Sequence, residues 1–291
     1  MKIVGFVADR ETRLGVVEGD RVIDLKAADE KAPTDLREWL ERGDLAPLAD
    51  LAKRAPAGAR RPLEGLKYAL PVARPGKVIC LGLNYLEHLK EGRYANEPPP
   101  KFPTLFMRGL NSFSPHLEPL IRPRVSETFD YEAEMVVVIG KRAKHMTMTN
   151  AASCIAGYFC CNEGSIREFQ RHTTQWHMGK NFDRSGGLGP WMVTADDLPE
   201  LGKGLKIETR LNDNVMQSDN TENLMFPVAE TIVYTTQGIT LEPGDLIVTG
   251  TPSGVGAARK PPVWMKHGDV CEIEIEGIGT LRNPIEDEKP A

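Results

Sequence analysis

Asp130-Tyr131-Glu132-Ala133-Glu134-Met135-Val136-Val137-Val138-Ile139 sets two carboxylates, one residue apart, at the mouth of an unbroken apolar run. Five consecutive apolar residues, four of them β-branched, predict a strand buried on both faces. Side chains at i and i+2 leave a strand on the same side, so Glu132 and Glu134 point one way and repel. A divalent cation between them offsets that repulsion, and magnesium, manganese and calcium all prefer oxygen donors. The same spacing also describes a solvated strand end, and the pair alone does not separate the two.

The remaining chain has the pattern of a mainly β, α+β protein. Short apolar runs at Lys77 to Leu83, Leu105 to Met107, Ile155 to Cys161, Trp191 to Val193, Leu205 to Leu211, Leu246 to Val248 and Val270 to Ile275 alternate with turns rich in Gly and Pro. Val228 to Thr236 is the clearest helix. Ahead of these, Lys2 to Ala8, Leu14 to Val17 and Val22 to Leu25 predict antiparallel strands, and Thr34 is a plausible cap for a helix carrying Leu36, Trp39 and Leu40. The short basic cluster Arg54 to Arg61, interleaved with Ala, Pro and Gly, predicts a linker surface, and the stretch Ala55 to Arg74, rich in Pro, Ala, Gly and Arg, predicts a boundary near residue 70. A small N-terminal α+β domain at 1–70 and a larger domain at 71–291 follow.

A length of 291 residues, 41% hydrophobic and 26% charged, describes a globular chain with ample core. The net charge of -5, without a basic stripe, excludes nucleic acid and anionic membrane as expected partners. Asp9, Arg10 and Glu11 interrupt the N-terminus before a secretory core forms, and no apolar run reaches bilayer length. Five cysteines without metal-ligand spacing predict reduced, buried thiols and a cytoplasmic location. Cys160 and Cys161, adjacent on a strand, face opposite sides and cannot share a zinc ion.

Four further segments carry candidate chemistry. In a helix opening at Tyr85, His88 and Glu91 fall at i and i+3, close enough for the carboxylate to orient a general base, or to form an incidental surface pair. Glu163 ends the strand Ile155 to Cys161 and is placed for a third carboxylate on the ion; Arg167 and Gln170 follow at helical spacing, suited to a substrate carboxylate. A solvated helix start explains the same residues. Lys180, among small and apolar neighbours, suits oxyanion stabilisation. The loop Thr249-Gly250-Thr251-Pro252-Ser253-Gly254 offers amides and hydroxyls to an anionic oxygen. Arg108, His172, His177 and the stretch Arg93 to Lys101 are further candidates for lining or covering the pocket, although the two histidines suit surface or packing roles better.

In order, Gly82-Leu83-Asn84-Tyr85 with His88 and Glu91, Asp130-Tyr131-Glu132-Ala133-Glu134, Gly157-Tyr158, Gly179-Lys180-Asn181-Phe182-Asp183, Leu188-Gly189-Pro190-Trp191, Thr249-Gly250-Thr251-Pro252 and Gly277-Ile278-Gly279-Thr280-Leu281 resemble the fumarylacetoacetate hydrolase family, in its smaller acylpyruvate hydrolase-like branch. The resemblance runs from about Pro75 to Pro284. It implies a mixed β-sandwich roll catalytic domain, a homodimer, and a magnesium or manganese ion, with calcium possible, on Glu132, Glu134 and Glu163. It also implies a His88 and Glu91 acid-base dyad on a lid, Lys180 as the active-site lysine, and substrate contacts from Arg167, Gln170 and Thr251. One departure stands out: the family carries Asp where this chain has Glu163, one methylene longer.

The implied reaction is hydrolytic carbon-carbon cleavage of an acylpyruvate-like 1,3-diketo acid, with water activated by His88 and Glu91 and the metal stabilising the enolate that leaves. The alternative is a decarboxylase or isomerase acting on a β-keto or 2-oxo dicarboxylic acid through the same enolate. A non-catalytic metal-binding relative is the third possibility.

Overall fold

A computed structural model describes residues 1–92 and 95–290. Arg93, the first residue of the predicted pocket-covering stretch, lies outside the described residues.

The strand Ala133–Ile139 is fully buried along its whole length and stands inside a twelve-stranded sheet. It pairs antiparallel with Ile155–Asn162 on one side and with Leu246–Val248 on the other. Beyond Leu246–Val248 come Val78–Gly82, in parallel, and Thr104–Met107 at the edge. A second sheet of five strands orders Asn214–Asn220, Lys206–Leu211, Val270–Ile275, Gly279–Asp287 and Leu120–Arg122.

Alternation explains the buried run. Met135, Val137 and Ile139 share a core with Ile207, Ile273, Ile275 and Leu281 of the second sheet. Val136 and Val138, on the opposite face, share another with Leu36, Trp39, Leu40 and Leu48 from the leading helices. With both faces covered, no position on the strand can be polar until Glu134. Cys160 and Cys161 divide between these two cores as predicted, and all five cysteines are free and buried.

The leading strands are part of the same sheet. Lys2–Ala8 pairs with Gly186–Thr194, Lys2 opposite Val193 and Ile3 opposite Met192. Glu11–Glu18, Arg21–Asp24 and Arg60–Pro62 extend the sheet outward in turn. Two local expectations need correction. The cluster Arg54 to Arg61 is not only linker surface, because its end runs into the strand Arg60–Pro62, which pairs into the sheet. The cap of helix Leu36–Leu40 is Asp35 rather than Thr34, its carboxylate accepting from Arg37 N at 3.0 Å. Either residue can cap by type, and the residue next to the helix is the one within reach of its free amides.

Candidate active site

Register assembles the three carboxylates. Ala133 lies opposite Asn162 and Glu134 opposite Cys161. One step further, Glu163 N donates to Glu132 O at 2.9 Å, which brings the third acid beside the first. Asn162 fixes this corner, its side-chain oxygen accepting from Glu132 N at 3.1 Å. Oxygens of Glu132, Glu134 and Glu163 all lie within 4.8 Å of one another, and all three residues are buried.

Three cations face these acids. The short helix His177–Lys180 delivers Lys180, whose Nζ donates to Glu132 Oε2 at 2.5 Å and also to Glu163 Oε2. That helix packs tightly because residue 179 is glycine: a Cβ there would lie 2.4 Å from Gln170 N. Arg167 Nε donates to Asp130 Oδ2 at 2.7 Å and Nη1 to Gln170 Oε1 at 3.0 Å. Its Nη2 stands 2.7 Å from Glu132 Oε1, an ion pair without hydrogen-bond alignment. Arg108 Nη1 donates to Glu163 Oε1 at 2.9 Å.

The buried cluster thus holds four carboxylates, counting Asp130, against three cations, Arg108, Arg167 and Lys180. One negative charge remains, and a desolvated charge must take up a proton or a cation. Burial pushes the three glutamates upward. For Glu132 the charges of Arg167 and Lys180 overcome it and hold the group below the usual carboxylate range. For Glu134, burial and the charges of Glu163 and Glu132 outweigh Lys180 and the Gly250 amide and push it well up. Glu163 is pushed to about 7, burial outweighing Lys180 and Arg108. Lys180 stays protonated: burial lowers its pKa, but Glu132 and Glu163 more than reverse that. An all-oxygen donor set with one excess negative charge fits a hard divalent cation.

The loop after Leu246–Val248 commits four of its amides to the protein's own acids. Gly250 N donates to Glu134 Oε2 at 2.5 Å, Gly254 N to Glu91 Oε1 at 2.5 Å, and Gly256 N and Ala257 N to Asp130 at 2.7 and 3.0 Å. The anionic oxygens gripped are the protein's own. Gly250 and Gly254 take φ of +96° and +101°, which permits these turns.

Above the carboxylates lies the helix Leu86–Glu91. His88 Nδ1 is 3.2 Å from Glu91 Oε2, so the predicted pair forms, partly buried. His88, Glu91, Arg167, Gln170, Lys180 and Thr251 all line one cavity with the three acids. Trp176 closes one wall against Gly82, where a Cβ would fall 2.0 Å from the indole. The cavity, about 110 Å³, is smaller than pockets that enclose drug-sized ligands. His172 and His177 are exposed and outside its lining.

Gln217 is not among the sequence candidates, and Arg108 is expected there to line or cover the pocket. Gln217 Nε2 donates to Thr251 Oγ1 at 2.8 Å, while its Oε1 accepts from Ala133 N at 3.0 Å and Thr209 Oγ1 at 2.7 Å. Arg108 lies beneath the acids rather than in the cavity wall. Neither has a sequence signal, because Gln217 reaches Thr251 and Arg108 reaches Glu163 across more than 30 residues of chain.

Among the described residues no helix is long and apolar enough to cross a membrane. A family model described as fumarylacetoacetate (FAA) hydrolase C-terminal matches residues 77–286. Over 293 aligned residues the chain is 39% identical to a Rattus norvegicus protein named oxaloacetate tautomerase Fahd2a, mitochondrial, covering 98% of this chain and 91% of that protein. The relative's mitochondrial designation does not match the cytoplasmic location expected from the cysteines. The fumarylacetoacetate hydrolase of psychrophilic Exiguobacterium antarcticum shares the fold with a TM-score of 0.84 and 32% identity, over 99% of this chain and 100% of that one. Maleylpyruvate hydrolase from Sphingobium sp. SYK-6, in complex with manganese (II) ion and pyruvate, gives 0.80 and 26% over 99% and 100%. Matched along nearly its whole length, and with three acids grouped so that they could hold a metal ion, the chain belongs to the fumarylacetoacetate hydrolase family and is one of its enzymes.

Proposed function

We propose that the enzyme interconverts the keto and enol forms of a compact 2-oxo dicarboxylic acid of the oxaloacetate type. The observation that carries this reading is the His88 and Glu91 pair standing over a small cavity that also holds Arg167, Gln170 and Lys180. The 39% identity to a relative named as an oxaloacetate tautomerase supports it. Carbon-carbon hydrolysis of an acylpyruvate-like acid becomes the second reading, favoured by the likeness to maleylpyruvate hydrolase.

Glu132, Glu134 and Glu163 would hold magnesium or manganese. When bound, such a cation supplies Lewis-acid stabilisation to a 2-oxo oxygen as that oxygen gains charge. Glu91 occupies Nδ1 of His88, which leaves Nε2 to exchange a proton with the substrate. That nitrogen takes the C3 proton of the keto form, and the enol oxygen is protonated in turn; the reverse path returns both protons. Gln170 receives Arg167 on its oxygen and keeps its amide N–H groups for a substrate carboxylate. Thr251 receives Gln217 on its hydroxyl oxygen and keeps its own proton to donate. Lys180 and Arg167 supply fixed positive charge near the developing oxyanion. The active species is proposed to be a homodimer.

Enol oxaloacetate, mixed with the enzyme and manganese, should lose its ultraviolet enol absorbance faster than the buffer control, and in heavy water the keto product should carry deuterium at C3. No acceleration with oxaloacetate, together with oxygen-18 from labelled water entering the acid released from an acylpyruvate, sinks the first reading in favour of the second.

A further inference from the structure

Arg108 follows the edge strand Thr104–Met107, yet its side chain is fully buried. Every nitrogen of its guanidinium is engaged. Nε donates to Ser112 Oγ at 3.1 Å, Nη1 to Glu163 Oε1 at 2.9 Å and Gly164 O at 3.0 Å, and Nη2 to Ser185 Oγ at 2.8 Å and Ser112 O at 3.4 Å. The group also lies 4.6 Å over the Phe113 ring. With all donors committed inside the protein, Arg108 has none for a substrate, and it does not line the cavity.

A cation removed from water is costly unless paired, and Glu163 is the only acid that pairs with it among the described residues. The two oxygens of Glu163 have different partners: Oε1 faces Arg108, and Oε2 faces Lys180 on the side of Glu132. Glutamate has one more rotatable bond than aspartate, so an acid of this length needs an anchor to hold one geometry.

We infer that Arg108 is a positioning residue for the metal site: by holding Oε1 of Glu163, it makes the longer acid present Oε2 alone to the cation shared with Glu132 and Glu134. The inference rests on the metal-site reading above. It accounts for a glutamate at a position where a shorter acid needs no such brace.

The test is manganese affinity of the full chain, measured by electron paramagnetic resonance or calorimetry, for Arg108→Met, Glu163→Gln and the double variant. Arg108→Met should bind manganese about tenfold or more weakly, as loss of a residue that orients a ligand does. In the Glu163→Gln background the same change should cost less than about twofold, because the acid it positions is already gone. A folded Arg108→Met protein with unaltered affinity overturns the inference, and so does an equal loss in both backgrounds. If Arg108→Met fails to give a cooperative thermal melt, Arg108→Lys, which keeps charge but loses the fork, decides by the same comparisons. Absence of manganese binding in the unaltered chain sinks the metal reading and this inference with it.

Discussion

His88 and Glu134 both line one cavity, and the proposed mechanism gives them different duties. His88 contacts Glu91 and no grouped acid, whereas Glu134 contributes an oxygen to the triad and is held by Gly250 N. His88→Ala should therefore abolish turnover and leave manganese affinity unchanged, while Glu134→Ala loses both; equal loss of metal in the two variants refutes the division. The acids also set a pH dependence. Glu163, raised to about 7, and Glu134, raised well above the usual carboxylate range, favour folding while protonated, and that contribution is lost as pH rises through their folded values. Glu132, held low, loses its contribution only in strong acid. Chelator-treated protein should melt at a lower temperature at about pH 8 than at about pH 6, and manganese should narrow the difference by replacing the protons. A melting temperature that rises over that interval without metal contradicts this. The paired glutamates were legible because strand alternation is local; Gln217 and the true place of Arg108 were not, because both depend on contacts made only after the sheets close.

Among the elements, Ala133–Ile139 was the most readable, since a β-branched run needs no partner to declare itself. What its sequence withheld was the partner on each face. The second sheet covers Met135, Val137 and Ile139, and the leading helices cover Val136 and Val138. Ile139→Ala removes fully buried methyl groups and should cost about 2–5 kcal/mol, measured by denaturant unfolding. A cost under about 1 kcal/mol indicates that the strand end tolerates a cavity. The cap at Asp35 and the strand Arg60–Pro62 were misplaced for one reason: composition identifies a turn or a linker, while pairing depends on what lies alongside.

For the whole molecule, the sheet runs across the expected boundary near residue 70, from Arg60–Pro62 to Thr104–Met107. Removing residues 1–70 would strip Leu36, Trp39 and Leu48 from the central sheet and expose the edge of Gly186–Thr194. Both changes favour aggregation. A 71–291 fragment should be recovered only in insoluble form, and a soluble fragment with a cooperative melt refutes this. The loop from Gly250 to Ala257 has a wider consequence. One short stretch of backbone grips Glu134 of the triad, Glu91 of the overlying helix and Asp130, the partner of Arg167. On the proposed mechanism, a cation drawing on Glu134 and a substrate drawing on His88 and Glu91 would load the same few peptide units. Whatever factor the cation lends to substrate affinity, the substrate must return to the cation, since two ligands coupled through one scaffold are linked reciprocally.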